Sequence, residues 1–407
     1  MTTTSTQAET VMELKQRSKG EAQDDDAAGL VAEQVFPDIN TIRNAIPAHC
    51  FQPPVWRSLA YVVRDLSLIL PLGYLALTYI PSVPNVWARA AAWIVYGYVQ
   101  GLFCTGLWIL AHECGHGAFS LNQRLNDTVG WAAHSFLFVP YFSWKFSHHR
   151  HHRFTGHMTK DMAFVPRTKD EHYATRASSF WLDPDMLEDL PAYQLFVLVL
   201  HQLGGWQAYL FFNASSGKES LQRKETSWFR VSHFEPTSAV FRPSERPFIA
   251  LSVLGLSIVG YVLHLASAVY GWKTIFLLYW VPYLWVHHWL VAITYLHHTH
   301  PDVHHYDPDS WTFVKGALAT VDRDFGFIDR RIFHGIIGTH VVHHLFPRIP
   351  FYYAEEATEA IKPVVGDHYC RQEGSFVGSL WSTFTTCKYV ESDPDVPGAM
   401  RWGKGRR

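Results

Sequence analysis

Four long apolar stretches alternate with polar segments along the chain: Trp56 to Ile80, Val86 to Ala111, Phe248 to Tyr270 and Ile275 to Leu296. A helix needs about 20 apolar residues to cross a bilayer, and each stretch is long enough. The first is flawed only by Arg64 and Asp65 near its start. The stretches form two close pairs. Pro81-Ser-Val-Pro-Asn85 joins the first pair and Gly271-Trp-Lys-Thr274 the second, so each pair reads as a helical hairpin closed by turn residues. Two further runs, Val129 to Phe142 and Leu195 to Phe212, fit less well. The first is short, and the second holds His201, Gln202 and a Gly-Gly pair. Both are expected at the membrane interface or packed against the bundle.

Charge adds an orientation. Between paired stretches the only basic residue is Lys273, while the long middle segment and the C-terminal region carry most of the Lys and Arg. By the positive-inside rule those regions and both termini face the cytosol. The expected fold is therefore all-α: an integral membrane four-helix bundle of two helical hairpins under a cytosolic helical cap. A large soluble helical protein is the alternative, but paired spans with this charge asymmetry disfavour it. Residues 1–45 are polar, with Glu9, Glu13 and Asp24-Asp25-Asp26, and read as a disordered cytosolic tail. They lack the apolar core of a secretory signal, and their acidic residues are unlike a mitochondrial transit peptide. Residues 46–385 form the expected folded domain, and 386–407 a flexible tail.

Composition excludes some classes. A formal net charge of -2 and no basic stripe exclude a nucleic-acid binder. Cys50, Cys104, Cys114, Cys370 and Cys387 are scattered without a C-x-x-C, which argues against a disulfide scaffold or zinc knuckle and for a reducing compartment.

The 25 histidines change the picture more. His112-Glu113-Cys114-Gly115-His116 satisfies H-E-x-x-H, the pattern with which zinc proteases hold their metal. Two further clusters read H-x-x-H-H: His148, His151, His152 and His340, His343, His344. Positions i, i+3 and i+4 share a helix face, so each cluster can aim three imidazoles at one point. Eight imidazoles exceed the three protein ligands of a catalytic zinc and suit two metals. Iron, copper and zinc all accept imidazole. Each cluster lies just outside an apolar stretch or in the facing segment, so all three meet on one side of the membrane, within reach of a lipid chain. A histidine-rich metal transporter would instead put ligands inside the spans. His297, His298 and His300 offer a ninth ligand, while His287 and His288 lie deeper and read mainly as core positions.

The segments "HECGHGAF", "FSWKFSHHRHH", "ITYLHHTHP", "ATVDRDFGFI" and "GTHVVHHLFPRIPFYYAEEATEAIKP" resemble the membrane fatty-acid desaturases of the methyl-end type. The likeness runs from about Ile46 to about His368. With "AIPAHCF" and "PYLWVHHWLVAITYL" it is closest to the fungal delta-12 oleate desaturases. The resemblance implies two non-haem irons held by His112, His116, His148, His151, His152, His340, His343 and His344, with His298 as ninth ligand; His149 is a spacer. Glu113, Asp322 and Asp324 become candidates to orient ligands, in place of a protease general base. It implies oxidation of a fatty acyl lipid or acyl-CoA with O2, at the endoplasmic reticulum. The sequence has no haem-binding "HPGG" and no G-x-G-x-x-G unit, so electrons are expected from cytochrome b5 and its reductase. Lys145, Arg150, Arg153, Lys160, Arg167 and Lys169 are the expected docking face, or else positive-inside charge. Gly338 stands where many plant relatives have Asp. It leaves open an omega-3 (delta-15) or bifunctional enzyme, an acetylenase or a hydroxylase, and is the expected determinant of regiochemistry.

Overall fold

The computed structural model describes residues 35–177 and 190–404. Most of the expected N-terminal tail lies outside the described residues, but its end is ordered. Helix α1, Ile39–Ala45, starts at Asp38, whose carboxylate accepts from Asn40 N at 2.8 Å. Its Ile42 is fully buried.

The first hairpin is α2 (Val55–Tyr79) and α3 (Val86–His116), with Asn85 capping α3 through its side chain. Helix α4 (Gln123–Phe136) and helix α5 (Tyr141–Phe154) follow, then α6 (Lys169–Ala177) and α7 (Pro191–Phe212). The second hairpin is α8 (Arg246–Tyr270), followed by a helix in three parts: α9 (Trp272–Ile275), a π-helical turn (Phe276–Trp280) and α10 (Val281–His297). The C-terminal part adds α11 (Phe313–Leu318), α12 (His340–Leu345), α13 (Phe351–Val365) and α14 (Phe376–Thr386).

Helix α3 is the axis of the bundle. It packs on α10 through Gly97 and Gly101, where a Cβ would lie 2.6 Å from Val281 and 2.4 Å from Trp285. This G-x-x-x-G face lets the two backbones approach. The 31 residues of α3 extend about 46 Å, longer than a hydrocarbon core of about 30 Å. Gly117 stops the helix in the left-handed conformation at φ 75°.

Five described helical segments, not the expected four, are long and apolar enough to cross a membrane; α7 is the fifth. It buries a single i, i+4 stripe of Gln194, Leu198, Gln202, Trp206 and Leu210, while Leu195, Phe196, Val199 and Leu203 point outward. That inverts the pattern of a water-soluble helix. Apolar side chains of α2 and α8 are also exposed, a surface suited to lipid rather than water. The second ambiguous run is thus a full helix packed against the bundle. It packs against α10, with His201 against Tyr295, Gly205 against Val291 and Gln207 bonded to His287 at 2.6 Å. Its two ends join one layer: Gln194 accepts from Lys388 Nζ at 2.8 Å. Past the C-terminal end, Gly217 N donates to Asp161 O at 2.8 Å and Val165 N to Ser215 O at 2.7 Å.

The chain is mostly helical but not all-α. Strands β1 (His305–Tyr306), β4 (Cys387–Ser392) and β5 (Ala399–Lys404) form an antiparallel sheet in the order β1-β5-β4. Strand β2 (Val321–Arg323) pairs in parallel with β3 (Cys370–Gln372). The expected flexible C-terminal tail is therefore a β-hairpin over 387–404. Strands of two to six residues are too short to announce themselves by period. The main core joins α3, α7 and α10. A second cluster packs Ile42, Ile46 and Cys50 against Val341, Val342 and Leu345 of α12 and against α13.

Candidate metal centre

Three helix ends and one short helix carry the nine candidate histidines. The last turns of α3 present His112 and His116, α5 presents His148, His151 and His152, and α12 presents His340, His343 and His344. His298 sits at the C-cap of α10. The six-residue α12 cannot hold its own place. Asp322 Oδ1 accepts from Val341 N at 2.8 Å, and just before α12 the Asp329 carboxylate accepts from Ile337 N and Gly338 N, each at 3.0 Å.

The ring nitrogens converge in two groups. His112, His116, His148, His152 and His343 form one, with donor atoms within 4.8 Å of one another; His151, His298 and His344 form the other. His340 joins the second group, its Nε2 lying 3.4 Å from that of His298 and 3.1 Å from that of His344. In the first group the Nε2 atoms of His112 and His148 are 3.1 Å apart, His112 and His116 3.2 Å, and His148 and His152 3.1 Å. A shared metal about 2.1 Å from each nitrogen sets neighbouring ligand atoms about 3.0–3.4 Å apart. The Nε2 atom of His343 is buried with no hydrogen-bond partner. Burial, then mostly neighbouring imidazoles, pushes His148, His152, His298, His340, His343 and His344 well below the ordinary histidine pKa. Neutral imidazoles with converging lone pairs fit a pair of cations better than any network of hydrogen bonds.

Side chains behind the ring fix several tautomers. Asp161 Oδ1 accepts from His151 Nδ1 at 2.7 Å. Thr155 Oγ1 donates to His151 O at 2.8 Å, so it accepts from His344 Nδ1 at 3.0 Å. In both rings this leaves the Nε2 lone pair for the centre. Glu113 Oε1 lies 3.3 Å from His112 Nδ1, and its other oxygen accepts from Phe351 N at 3.2 Å.

Other candidates stand elsewhere. Asp322 supports the backbone of α12, and its second oxygen accepts from Tyr369 OH at 2.7 Å; among the described residues no imidazole bonds to it. Asp324 bonds Gly326 N and pairs with the exposed Arg330. Both nitrogens of His297 face carbonyls, of Ile293 at 2.6 Å and Ile337 at 2.9 Å, and a neutral ring donates to only one of them. His287 is bonded to Gln207, and neither it nor His288 joins a group. His149 stays outside as well. Sequence reasoning missed Asp161 and Thr155: neither is marked by a repeat, and only the turn after α5 brings Asp161 back.

An apolar cavity of about 280 Å³ ends on the centre, lined by Trp108, Trp206, Leu290 and Ile293 and reaching His148, His151, His298 and His340. Helix α7 forms one wall through Gly205 and Trp206. Gly338 does not line this cavity. It borders a separate polar pocket, and a Cβ there would lie 3.1 Å from Asp329 Oδ2. The expected basic face is also reduced. Lys145 pairs with Asp127 and Arg150 with Glu245, both largely buried, and Lys169 pairs with Glu391 at 2.8 Å. Arg153 and Arg167 remain exposed.

Comparison with known proteins gives the family. A family model described as fatty acid desaturase matches residues 85–374, and one described as a domain of unknown function matches residues 3–74. The oleate hydroxylase of Claviceps purpurea is 43% identical, over 90% of this chain and 79% of its own. The delta(12) fatty acid desaturase of Mortierella alpina is 43% identical over 88% and 89%. A delta(12) fatty acid desaturase of Calendula officinalis is 40% identical over 90% and 91%.

Proposed function

The chain belongs to the fatty acid desaturase family and is an oxidoreductase, and from that premise we propose that it inserts a cis double bond at carbon 12 of an oleoyl chain, giving a linoleoyl chain. One observation carries the reading: an apolar cavity, of a kind that suits an acyl chain, reaches six of nine converging imidazoles.

We assign two irons to the two histidine groups, with His112, His116, His148, His152 and His343 around one and His151, His298, His340 and His344 around the other. When bound, such a pair supplies the chemistry that side chains lack, using O2 and two electrons to remove two hydrogens from adjacent methylenes. The chain's own residues hold the site. Asp161 and Thr155 keep the His151 and His344 rings turned inward, while Glu113 lies beside the His112 ring without a hydrogen bond to its Nδ1. The cavity walls exclude water and choose which methylene lies beside the centre.

The paired α2–α3 and α8–α10 hairpins support four spans, with α7 lying along the bundle because both its ends join one layer. The Lys and Arg distribution supports a cytosolic centre and cytosolic termini. The endoplasmic reticulum, cytochrome b5 with its reductase as donors, and an acyl lipid or acyl-CoA substrate belong to the same reading.

A second reading is hydroxylation of oleate, favoured by the Claviceps purpurea relative. Fatty-acid analysis of yeast expressing the chain separates the two. Fed oleate should yield linoleate; a 12-hydroxy product would replace desaturation by hydroxylation, and an omega-3 product from fed linoleate would move the position. Purified active protein should carry two irons per chain, and a single zinc with no iron would overturn the assignment.

A further inference from the structure

Away from the histidine centre, a short 3-10 turn, Ala48–Phe51, leads into α2 and packs against α13. Three donor side chains meet there. His49 Nε2 lies 3.0 Å from Glu356 Oε2, Cys50 Sγ lies 3.7 Å from His49 Nε2, and all three donor atoms lie within 4.8 Å of one another. We infer that His49, Cys50 and Glu356 form a zinc site that ties the segment entering the first apolar helix to the helix that follows the third histidine cluster.

The donor set is the first argument. Thiolate, imidazole and carboxylate are the three side-chain ligands of zinc. Tetrahedral bonds of about 2.0–2.3 Å put such donors about 3.3–3.6 Å apart, so the Cys50–His49 distance already fits, the His49–Glu356 pair must open by a few tenths of an ångström, and Cys50 and Glu356 must lie closer than the 4.8 Å limit of the cluster. Burial is the second. Cys50 is fully buried, while the His49 and Glu356 side chains are 54% and 48% exposed. Two ligands thus open to solvent and the third anchors the ion in the fold, leaving a fourth position for water. The edge of Tyr353 lies against His49, with ring centroids 5.2 Å apart, and limits how the imidazole turns. Burial, then the Glu356 charge, pushes the Cys50 thiol up to about 11, so zinc must displace its proton and bind more tightly as pH rises.

Position gives the site a use. Phe51 meets Phe346, the C-cap of α12, edge to face at 5.9 Å. Cys50 itself shares a core cluster with Val341, Val342 and Leu345 of α12. A zinc across this seam would hold α12 from outside the centre that its histidines enter.

The test uses full-length, iron-loaded protein in detergent, with zinc chloride as the only probe. Zinc and iron per chain are counted after desalting, and alkylation of Cys50 is followed by peptide mass spectrometry. The wild type should retain one zinc, which slows alkylation of Cys50. His49→Ala and Glu356→Gln change exposed side chains and should leave iron at the wild-type level. They should weaken zinc retention and thiol protection at least tenfold, roughly what losing even a supporting hydrogen bond costs a metal site. Cys50→Ser should lose the zinc as well. Equal zinc uptake by the wild type, His49→Ala and Glu356→Gln, as expected if the ion entered the histidine centre or if His49–Glu356 were only a surface ion pair, overturns the inference. So does full retention of the zinc by Cys50→Ser.

Discussion

Asp161 accepts from His151 Nδ1, from Ala163 N at 2.9 Å and from Gly156 N at 3.2 Å, so one carboxylate fixes both a ring and the turn behind it. Asp161→Ala should lower iron affinity about 10- to 100-fold, read as iron per chain after dialysis. Asp324→Asn, at an exposed pair, should leave iron and activity within about twofold, because such pairs contribute little. A normal iron content in the Asp161 variant would sink the first expectation. Gly338 makes a different case. Burial pushes the adjacent Asp329 up to about 7, so the folded chain keeps a proton that the unfolded chain releases near the ordinary carboxylate value. The stability this proton represents is greatest in acid and fades as pH rises through about 7. Gly338→Asp adds a second carboxyl there, so its melting temperature should fall more steeply than the wild type's between about pH 5 and pH 8. Product position should not move; a shift in product ratio would return Gly338 to the cavity. The convergence of the box histidines was legible because i, i+4 and i, i+3, i+4 spacings mark them. Asp161 was not, because only the folded turn puts it under His151, and the polar pocket beside Gly338, two residues before α12, was not, because sequence order does not show what surrounds that turn.

Helices of this length declare themselves by their apolar content, and both hairpins were readable with their turn residues. The close seam between α3 and α10 is written as Gly97 and Gly101, four residues apart. Gly101→Ala would put a methyl 2.4 Å from Trp285 Cβ, with the Pro282 carbonyl 3.3 Å away. Overpacking of this kind costs about 1–3 kcal/mol, so the variant should show a lower melting temperature and some loss of iron, since α3 and α10 both carry candidate ligands. An unchanged melting temperature would mean that the helices separate freely. Helix α7 was harder to read. Its buried stripe contains two glutamines and its outward face is apolar, so hydrophobicity alone could not separate a crossing helix from one lying along the bundle. The strands were invisible, being two to six residues long and stabilised by partners distant in sequence, as β1 by β5.

For the whole molecule, the proposed topology makes a single experiment decisive. Glycosylation acceptors with spacers placed in 81–85 or 271–274 should be modified, and acceptors near residue 218 should not. Modification near 218 would mean that the layer holding the histidines faces the other way, or that α7 crosses after all. The charge asymmetry already pointed to this arrangement. What it could not supply was the binding of both ends of α7 to one layer, because that depends on Lys388 and Asp161, far from α7 in sequence.

The length of α3 has a consequence for where the enzyme can work. A rod about 46 Å long in an apolar layer about 30 Å thick carries His112 and His116 at its tip, while the other ligands hang from shorter elements. Bilayers of different thickness change the tilt of such a rod, and tilt moves its tip sideways relative to α5 and α12. On the proposed assignment, hydrophobic mismatch would therefore act on the alignment of candidate ligands carried by separate helices. On the proposed two-metal assignment, membrane thickness then bears on how the candidate ligands line up, and lipid chain length becomes a variable to set in any measurement of iron content.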